Sequence, residues 1–231
     1  LQGVLVMKVP SSREELARLI DHTILNPAAT PMDVERYCRE VIDYGFYSVV
    51  VNPFYVNLAR QILGNRAKVG VVVGFPFGAS KSTVKAEEAE LAILDGADEV
   101  DMVMNIGAFK AGMLDLVKRD IRAVVKVAHE YGVVVKVIIE TGYLNRDEKV
   151  KAAKLVMESE ADFVKTSTGY GPGGASEDDV RLLYEAVEGR IGVKAAGGIR
   201  NAQQAIAMIR AGASRIGTSH GVEVINSFKA G

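Results

Sequence analysis

Lys68-Val69-Gly70-Val71-Val72-Val73-Gly74 is an almost unbroken β-branched run closed by glycine. A strand with one wet face alternates polar and apolar residues, whereas a parallel strand covered by helices on both sides reads as a continuous apolar run. Val133-Val134-Val135 repeats the pattern. Outward from these runs, strand and helix patterns alternate along the chain, with strands expected at 20–25, 46–51, 68–74, 98–104, 133–139, 162–167, 192–196 and 214–219. Helical patterns lie between them, among them 31–43, 83–95, 114–130, 146–158, 177–188 and 202–210. Asn145 and Ser176 are placed to cap two of these, and Ser12 with Glu15 three residues on reads as a capping box that opens a short extra N-terminal helix.

Eight βα units in 231 residues favour an α/β fold of one closed (β/α)8 TIM barrel, since such barrels commonly take about 200 to 250 residues. The G-x-G-x-x-G fingerprint of a doubly wound dinucleotide fold is missing after the first strand. No linker or low-complexity tract divides the chain, so residues 1–231 read as a single domain.

Composition narrows the partners. A formal net charge of −1 with both signs interspersed leaves no basic footprint for nucleic acid and no polybasic membrane anchor. No apolar run approaches the ~18 residues of a membrane span, and residues 1–9 have neither the basic leader nor the cleavage site of a targeting segment. Cys38 is the only cysteine, which rules out an internal disulfide and fits a reducing compartment. Scarce Asn, Gln and Cys, with no Trp, lean toward a thermophile. A small dissolved substrate is the expected partner.

In a barrel the chemistry gathers at the carboxyl ends of the strands, so polar residues within apolar strands are the informative ones. Asp21 and Thr23 stand in the first expected strand, Asn52 after the second, Asp101 in the fourth, Lys136 in the fifth, Lys165 in the sixth and Lys194 in the seventh. Side chains two apart share a face, which puts Phe163, Lys165 and Ser167 together. Three lysines and one or two aspartates therefore converge on a small interior. Neighbouring ammonium groups disfavour one another's protonation, and a freed amine attacks carbonyls to form a Schiff base, whose protonated form accepts the electrons of a breaking carbon–carbon bond. Metal-assisted aldol chemistry is the alternative, but His22, His129 and His220 show no H-x-H or H-E-x-x-H spacing. Gly169, Gly171, Gly173 and Gly174 after the sixth strand, Gly197-Gly198 after the seventh, and Gly217 to Gly221 after the eighth suit a phosphate site, with 221–228 as the short extra helix.

Asp21-His22-Thr23, Gly74-Phe75-Pro76-Phe77-Gly78, Glu99-Val100-Asp101-Met102-Val103-Met104-Asn105, Lys136-Val137-Ile138-Ile139-Glu140-Thr141, Phe163-Val164-Lys165-Thr166-Ser167-Thr168-Gly169 and Lys194-Ala195-Ala196-Gly197-Gly198-Ile199-Arg200 together closely resemble the deoxyribose-phosphate aldolase family over nearly the whole chain. The resemblance implies reversible cleavage of 2-deoxy-D-ribose 5-phosphate to acetaldehyde and D-glyceraldehyde 3-phosphate. It further implies a role in deoxyribonucleotide catabolism, a cytoplasmic location, a homo-oligomer (dimer or tetramer) and no metal or other cofactor. By motif, Lys165 resembles the Schiff-base lysine, Lys194 the lysine that perturbs it, Asp101 the proton-relay carboxylate and Lys136 an electrostatic partner of Asp101. Asp21 and Thr23 match positions at the sugar hydroxyl and pocket wall. Gly169, Gly197, Gly198 and Ser219 match the phosphate side, and Asn52 and Thr168 join them as substrate-binding residues. Tyr170 departs from the pattern, since some members carry a lysine there; backbone groups are then expected to hold the phosphate, with weaker selectivity for it. Some members have a longer tail ending in tyrosine, whereas this sequence stops at Gly231, so a tail-assisted proton transfer is not assumed.

Two other readings stay open on the residues alone: a lysine-dependent barrel aldolase of the transaldolase or fructose-phosphate kind, and a sugar-phosphate binding protein on the same barrel. Acetaldehyde as donor distinguishes the first, and binding without imine formation the second. If the polarising group is an iminium, activity survives exhaustive chelation; loss on chelation that added zinc restores would overturn this.

Overall fold

The computed structural model describes residues 8–229. Most of the stretch 1–9, read above as free of targeting signals, lies outside the described residues, as does the end of the chain at 230–231. Ser12 accepts the Glu15 N–H and opens the first helix, α1 (Arg13–Ala17). The expected capping box is displaced by one residue. The Glu15 carboxylate takes the Ser11 N–H at 2.7 Å and the Ser11 hydroxyl at 2.9 Å, two donors at one residue where Ser12 would offer its N–H alone.

Eight parallel strands follow: β1 (Ile20–Ile24), β2 (Ser48–Val51), β3 (Lys68–Val73), β4 (Glu99–Val103), β5 (Val134–Ile138), β6 (Phe163–Lys165), β7 (Gly192–Ala196) and β8 (Arg215–Thr218). They pair in chain order and β8 closes on β1, giving the expected TIM barrel. The helices α2 (Pro31–Tyr44), α3 (Val56–Leu63), α4 (Ser82–Leu94), α5 (Ile106–Lys110), α6 (Leu114–Glu130), α7 (Arg146–Glu158), α8 (Glu177–Val187), α9 (Ala202–Arg210) and α10 (Gly221–Asn226), with two 3-10 turns at Pro53–Tyr55 and Thr141–Tyr143, complete the described elements. Helix starts follow local chemistry. Thr30 and Asp33 form a capping box at α2 with Pro31 in the first turn; Asn145 and Glu148 do the same at α7, and Ser176 accepts the Asp179 N–H at α8. Among the described residues no helix is long and apolar enough to cross a membrane.

Strand β6 is shorter than its sequence suggests, ending at Lys165 rather than Ser167. The reason is Thr166, whose hydroxyl donates to the Ala196 carbonyl and accepts the Ala196 N–H, each at 3.0 Å. A side chain thus takes over where a backbone ladder would continue.

Register decides what faces inward. Asp21 lies beside Ser48 and Gly217, Asp101 beside Lys136, and Lys194 beside both Lys165 and Arg215. With a side-chain period of two, Glu99, Phe163 and Thr23 turn to the same interior. The outward parity, including Val49, Val71, Val100, Val135, Val164 and Ile216, packs into the large apolar cluster under the helices. A small separate cluster of Leu25, Val50 and Val72, with Phe75 against it, fills one side of the barrel interior.

One buried ion pair lies in the helix layer. Lys85 of α4 donates to Asp120 of α6 at 2.6 Å and to the Val103 carbonyl at the end of β4 at 2.9 Å, with both side chains buried. Burial pulls the Lys85 ammonium below its usual range, against the attraction of Asp120. Breaking such a pair leaves an uncompensated buried charge, so Lys85→Met is expected to cost about 3–5 kcal/mol in denaturant unfolding. Lys85→Met combined with Asp120→Leu should recover much of that loss. A double variant no more stable than the single one would contradict the assignment.

Candidate active site

Beneath the open end of the barrel lies a closed web of charge. Lys165 donates to Asp101 Oδ2 at 2.6 Å, and Lys194 donates to the same oxygen at 2.8 Å. Lys136 holds the other oxygen, Asp101 Oδ1, at 2.9 Å and also Glu99 at 2.7 Å. Lys194 pairs in turn with Asp21 Oδ2 at 2.5 Å. Asp21 Oδ1 accepts from Ser48 at 2.7 Å and from Arg215 at 2.8 Å, and Arg215 closes the ring onto Glu99 at 3.1 Å. The Arg215 guanidinium also lies over the Tyr47 ring, 3.4 Å from its centroid. Gly217 gives Lys194 room: a Cβ there would sit 3.0 Å from Lys194 Cε.

Four cations, Lys136, Lys165, Lys194 and Arg215, face three carboxylates, Asp21, Glu99 and Asp101, all buried. With every group ionised the web carries one surplus positive charge in a low-dielectric interior. The least costly relief is to neutralise one lysine. Lys165 is the lysine shifted in that direction. Burial is the largest influence on it and, with Lys194 and Lys136 adding repulsion against the pull of Asp101, lowers its ammonium to about 8. Lys136 goes the other way. Burial opposes its charge too, but Asp101, Glu99 and Asp21 outweigh it and raise Lys136 above the ordinary lysine range. Burial likewise opposes ionisation of Asp101 and Asp21. The three lysines hold Asp101 well below the usual carboxylate range, and Lys194, Arg215 and Lys136 hold Asp21 below it.

Above the web opens a cavity of about 330 Å³. The Lys165 side chain bridges the two, taking part in the web and lining the cavity. Of the residues singled out from sequence, Thr23, Thr168, Gly169, Gly197, Gly198 and Ser219 join Lys165 on the cavity wall. Asp101, Lys136, Lys194 and Asp21 lie beneath it, fully buried. Asn52 is elsewhere: its amide donates to the Leu25 carbonyl at 3.3 Å, and it is not among the lining residues. Of the histidines, only His220 lines the cavity. His22 pairs with Glu40 at 2.6 Å and stacks on Tyr37, His129 pairs with Asp162, and His220 faces Ser219.

Arg215 and Glu99 were missed as members of the web, although the signal was present. Each sits in an apolar strand at inward parity, Glu99 two before Asp101 and Arg215 two before Gly217, by the same rule that singles out Lys136. Tyr37 was missed for a different reason. It comes from helix α2, lines the cavity and donates to the Ser219 carbonyl at 3.2 Å, and nothing local in its sequence forecasts a partner 182 residues away.

Comparison with known proteins agrees with this geometry. Residues 16–227 match the model of the DeoC/LacD family aldolases. The deoxyribose-phosphate aldolase of Thermococcus gammatolerans is 58% identical over 218 residues, covering 93% of this chain and 97% of that protein. The enzyme of the same name from Thermococcus kodakarensis is 56% identical over 217 residues, with 93% and 97% covered. Among solved structures, the tetrameric deoxyribose phosphate aldolase from Aeropyrum pernix superposes with a TM-score of 0.91 at 37% identity, covering 96% of this chain and 94% of that one. A barrel whose inward lysines share one aspartate under an open cavity, matched by family over nearly its full length, belongs to the DeoC/LacD aldolases.

Proposed function

We propose that this aldolase cleaves 2-deoxy-D-ribose 5-phosphate reversibly to acetaldehyde and D-glyceraldehyde 3-phosphate, through a Schiff base on Lys165. The observation that carries the reading is the position of Lys165: a buried amine poised near neutrality, touching Asp101 and lining the cavity. The names of the curated relatives support the substrate.

In the cleavage direction the neutral Lys165 amine adds to the C1 aldehyde of the open-chain sugar, and loss of water gives an iminium. A base removes the C3 hydroxyl proton, the C2–C3 bond breaks, and its electrons flow into the iminium to give an enamine while glyceraldehyde 3-phosphate departs. Protonation of the enamine at C2 and hydrolysis then release acetaldehyde and restore the amine. Asp101 Oδ2 contacts both Lys165 and Lys194, which suits it to pass protons between them and a water in the cavity. Once Lys165 forms the cationic iminium, Asp101 balances its charge. Lys136, held as an ammonium by Glu99 and Asp101, fixes the aspartate from behind.

Gly169, Gly197, Gly198 and Ser219 take the phosphate end with Thr168 beside them, and Thr23 flanks the sugar. Asp21 acts from below, through Lys194 rather than by lining the cavity, and Asn52 supports the wall through Leu25. The enzyme acts in deoxyribonucleotide catabolism in the cytoplasm, as one domain over residues 1–231, without a metal ion and as a homo-oligomer. The tetrameric relative supports the last point.

Borohydride reduction in the presence of acetaldehyde should add a two-carbon group to a peptide containing Lys165, and Lys165→Leu should abolish both adduct and turnover in a folded barrel. An adduct confined to other lysines refutes the assignment.

The pH profile tests the web. Free amine increases as pH rises through about 8, so the acid limb of kcat/KM should fall off below that value. Lys194→Met deletes a repelling charge and leaves Asp101 more available to Lys165. Both changes raise the Lys165 value toward the reference of about 10.4, so the limb should move to higher pH while kcat falls. An unmoved limb in a folded variant would mean that burial or Lys136 alone sets Lys165.

A further inference from the structure

Glu140 is a buried carboxylate to which the reaction assigns nothing. It follows β5, at φ 53°, ψ 71°, a left-handed conformation disfavoured for any residue with a Cβ. Its neighbours determine that conformation. The Ile139 N–H donates to the Lys165 carbonyl at 3.0 Å and the Thr141 N–H to the Thr166 carbonyl at 2.9 Å, so the chain is tied to the end of β6 on either side of the kink. Among the described residues no cation pairs with Glu140. A buried charge without a counter-ion must be met by hydrogen-bond donors.

Those donors all come from Thr168. Its N–H lies 3.2 and 3.3 Å from the two carboxylate oxygens, and its hydroxyl donates to Oε2. With that proton committed, the Thr168 oxygen serves as acceptor for the Tyr170 N–H at 3.0 Å and the Gly171 N–H at 3.2 Å. Gly171 is wrapped so closely that a Cβ there would come 2.7 Å from Glu140 Cδ. The Gly169 N–H stays outside this web, and Gly169, at φ 85°, lines the reaction cavity.

We propose that Glu140 is a positioning residue that sets, through Thr168, the loop carrying Gly169 and Tyr170, and so governs how the phosphate end of the ligand is held rather than the chemistry at Lys165. The inference rests on the reading of that loop as the phosphate side. Carboxylate and hydroxyl act as one unit: the charge orients the Thr168 proton, and the oriented oxygen turns two backbone N–H groups inward.

Two measurements test it, one of them independent of turnover. In Glu140→Gln the amide brings donors toward donors. The loss of a charge-assisted contact is expected to weaken binding of D-glyceraldehyde 3-phosphate, followed by calorimetry, about 10- to 100-fold. The KM for deoxyribose 5-phosphate should rise correspondingly, with little change in kcat/KM for unphosphorylated deoxyribose. Adduct formation at Lys165 with acetaldehyde and the acid limb of the pH profile should both be retained. Thr168→Val should weaken phosphate-ligand binding similarly, the double variant should be no worse than the poorer single one, and Thr168→Ser should retain the discrimination that Thr168→Val loses. If Glu140→Gln does not fold, Thr168→Val against Thr168→Ser carries the same comparison. Equal losses for both sugars, additive effects, or unaltered triose-phosphate binding would overturn the proposal. A wild-type protein that binds the triose phosphate yet gives no Lys165 adduct would instead overturn the proposed reaction and leave the binding series readable.

Discussion

Charge balance inside the barrel is the constraint on which the rest depends. An interior of apolar side chains would need no accounting, but this one holds buried acids and bases. Each ion there is tolerable only because its neighbour is placed to within a few tenths of an ångström. A web with one more base than acid has no arrangement that leaves every member ionised and compensated. The lowered proton affinity of Lys165 is therefore a property of the whole set rather than of that residue. Lys136 and Lys165 both touch Asp101, yet one is driven toward its charged form and the other away from it, because Lys136 has a second carboxylate, Glu99, shared with Arg215, whereas Lys165 has Asp101 alone and shares it with both Lys136 and Lys194.

The division of labour between ladder and loop follows from the same geometry. Groups that set proton affinity stand on strands, where register holds them. Most of the groups that line the cavity stand on the segments after the strands, where glycine permits close approach. Lys165 is the last residue of β6 and belongs to both. Thr166 then ends the ladder with its own hydroxyl and releases the chain into the loop that Glu140 braces.

Much of this was legible in the sequence because parallel strands and period-two parity are local signals. The run from Lys68 to Gly74 points to a covered strand, and a lysine in the middle of Val135-Lys136-Val137 can only face the interior or strain the fold. The convergence of Lys165, Lys194 and Asp101 could therefore be located before any coordinates. What stayed hidden depended on pairings across the chain. Tyr37 meets Ser219 after 182 residues. Glu140 looked like one residue of a motif, since its role rests on a backbone angle that its residue type disfavours. Asn52 lay at the right strand exit, yet its amide turns to Leu25.

Seven of the eight strands contribute a polar side chain to the web, and only β3, with Gly70 and Val72 facing inward, does not. A slip of one residue in any of the seven would swing its charged or hydroxyl group into the helix layer and bring a valine or isoleucine into the web. Sliding by two would preserve parity but leave an acid opposite nothing. The groups proposed to carry out the reaction thus double as a proofreading key for assembly. A barrel closed in the wrong register would be penalised at several ions at once, a penalty that an all-aliphatic interior, indifferent to which valine meets which, could not impose.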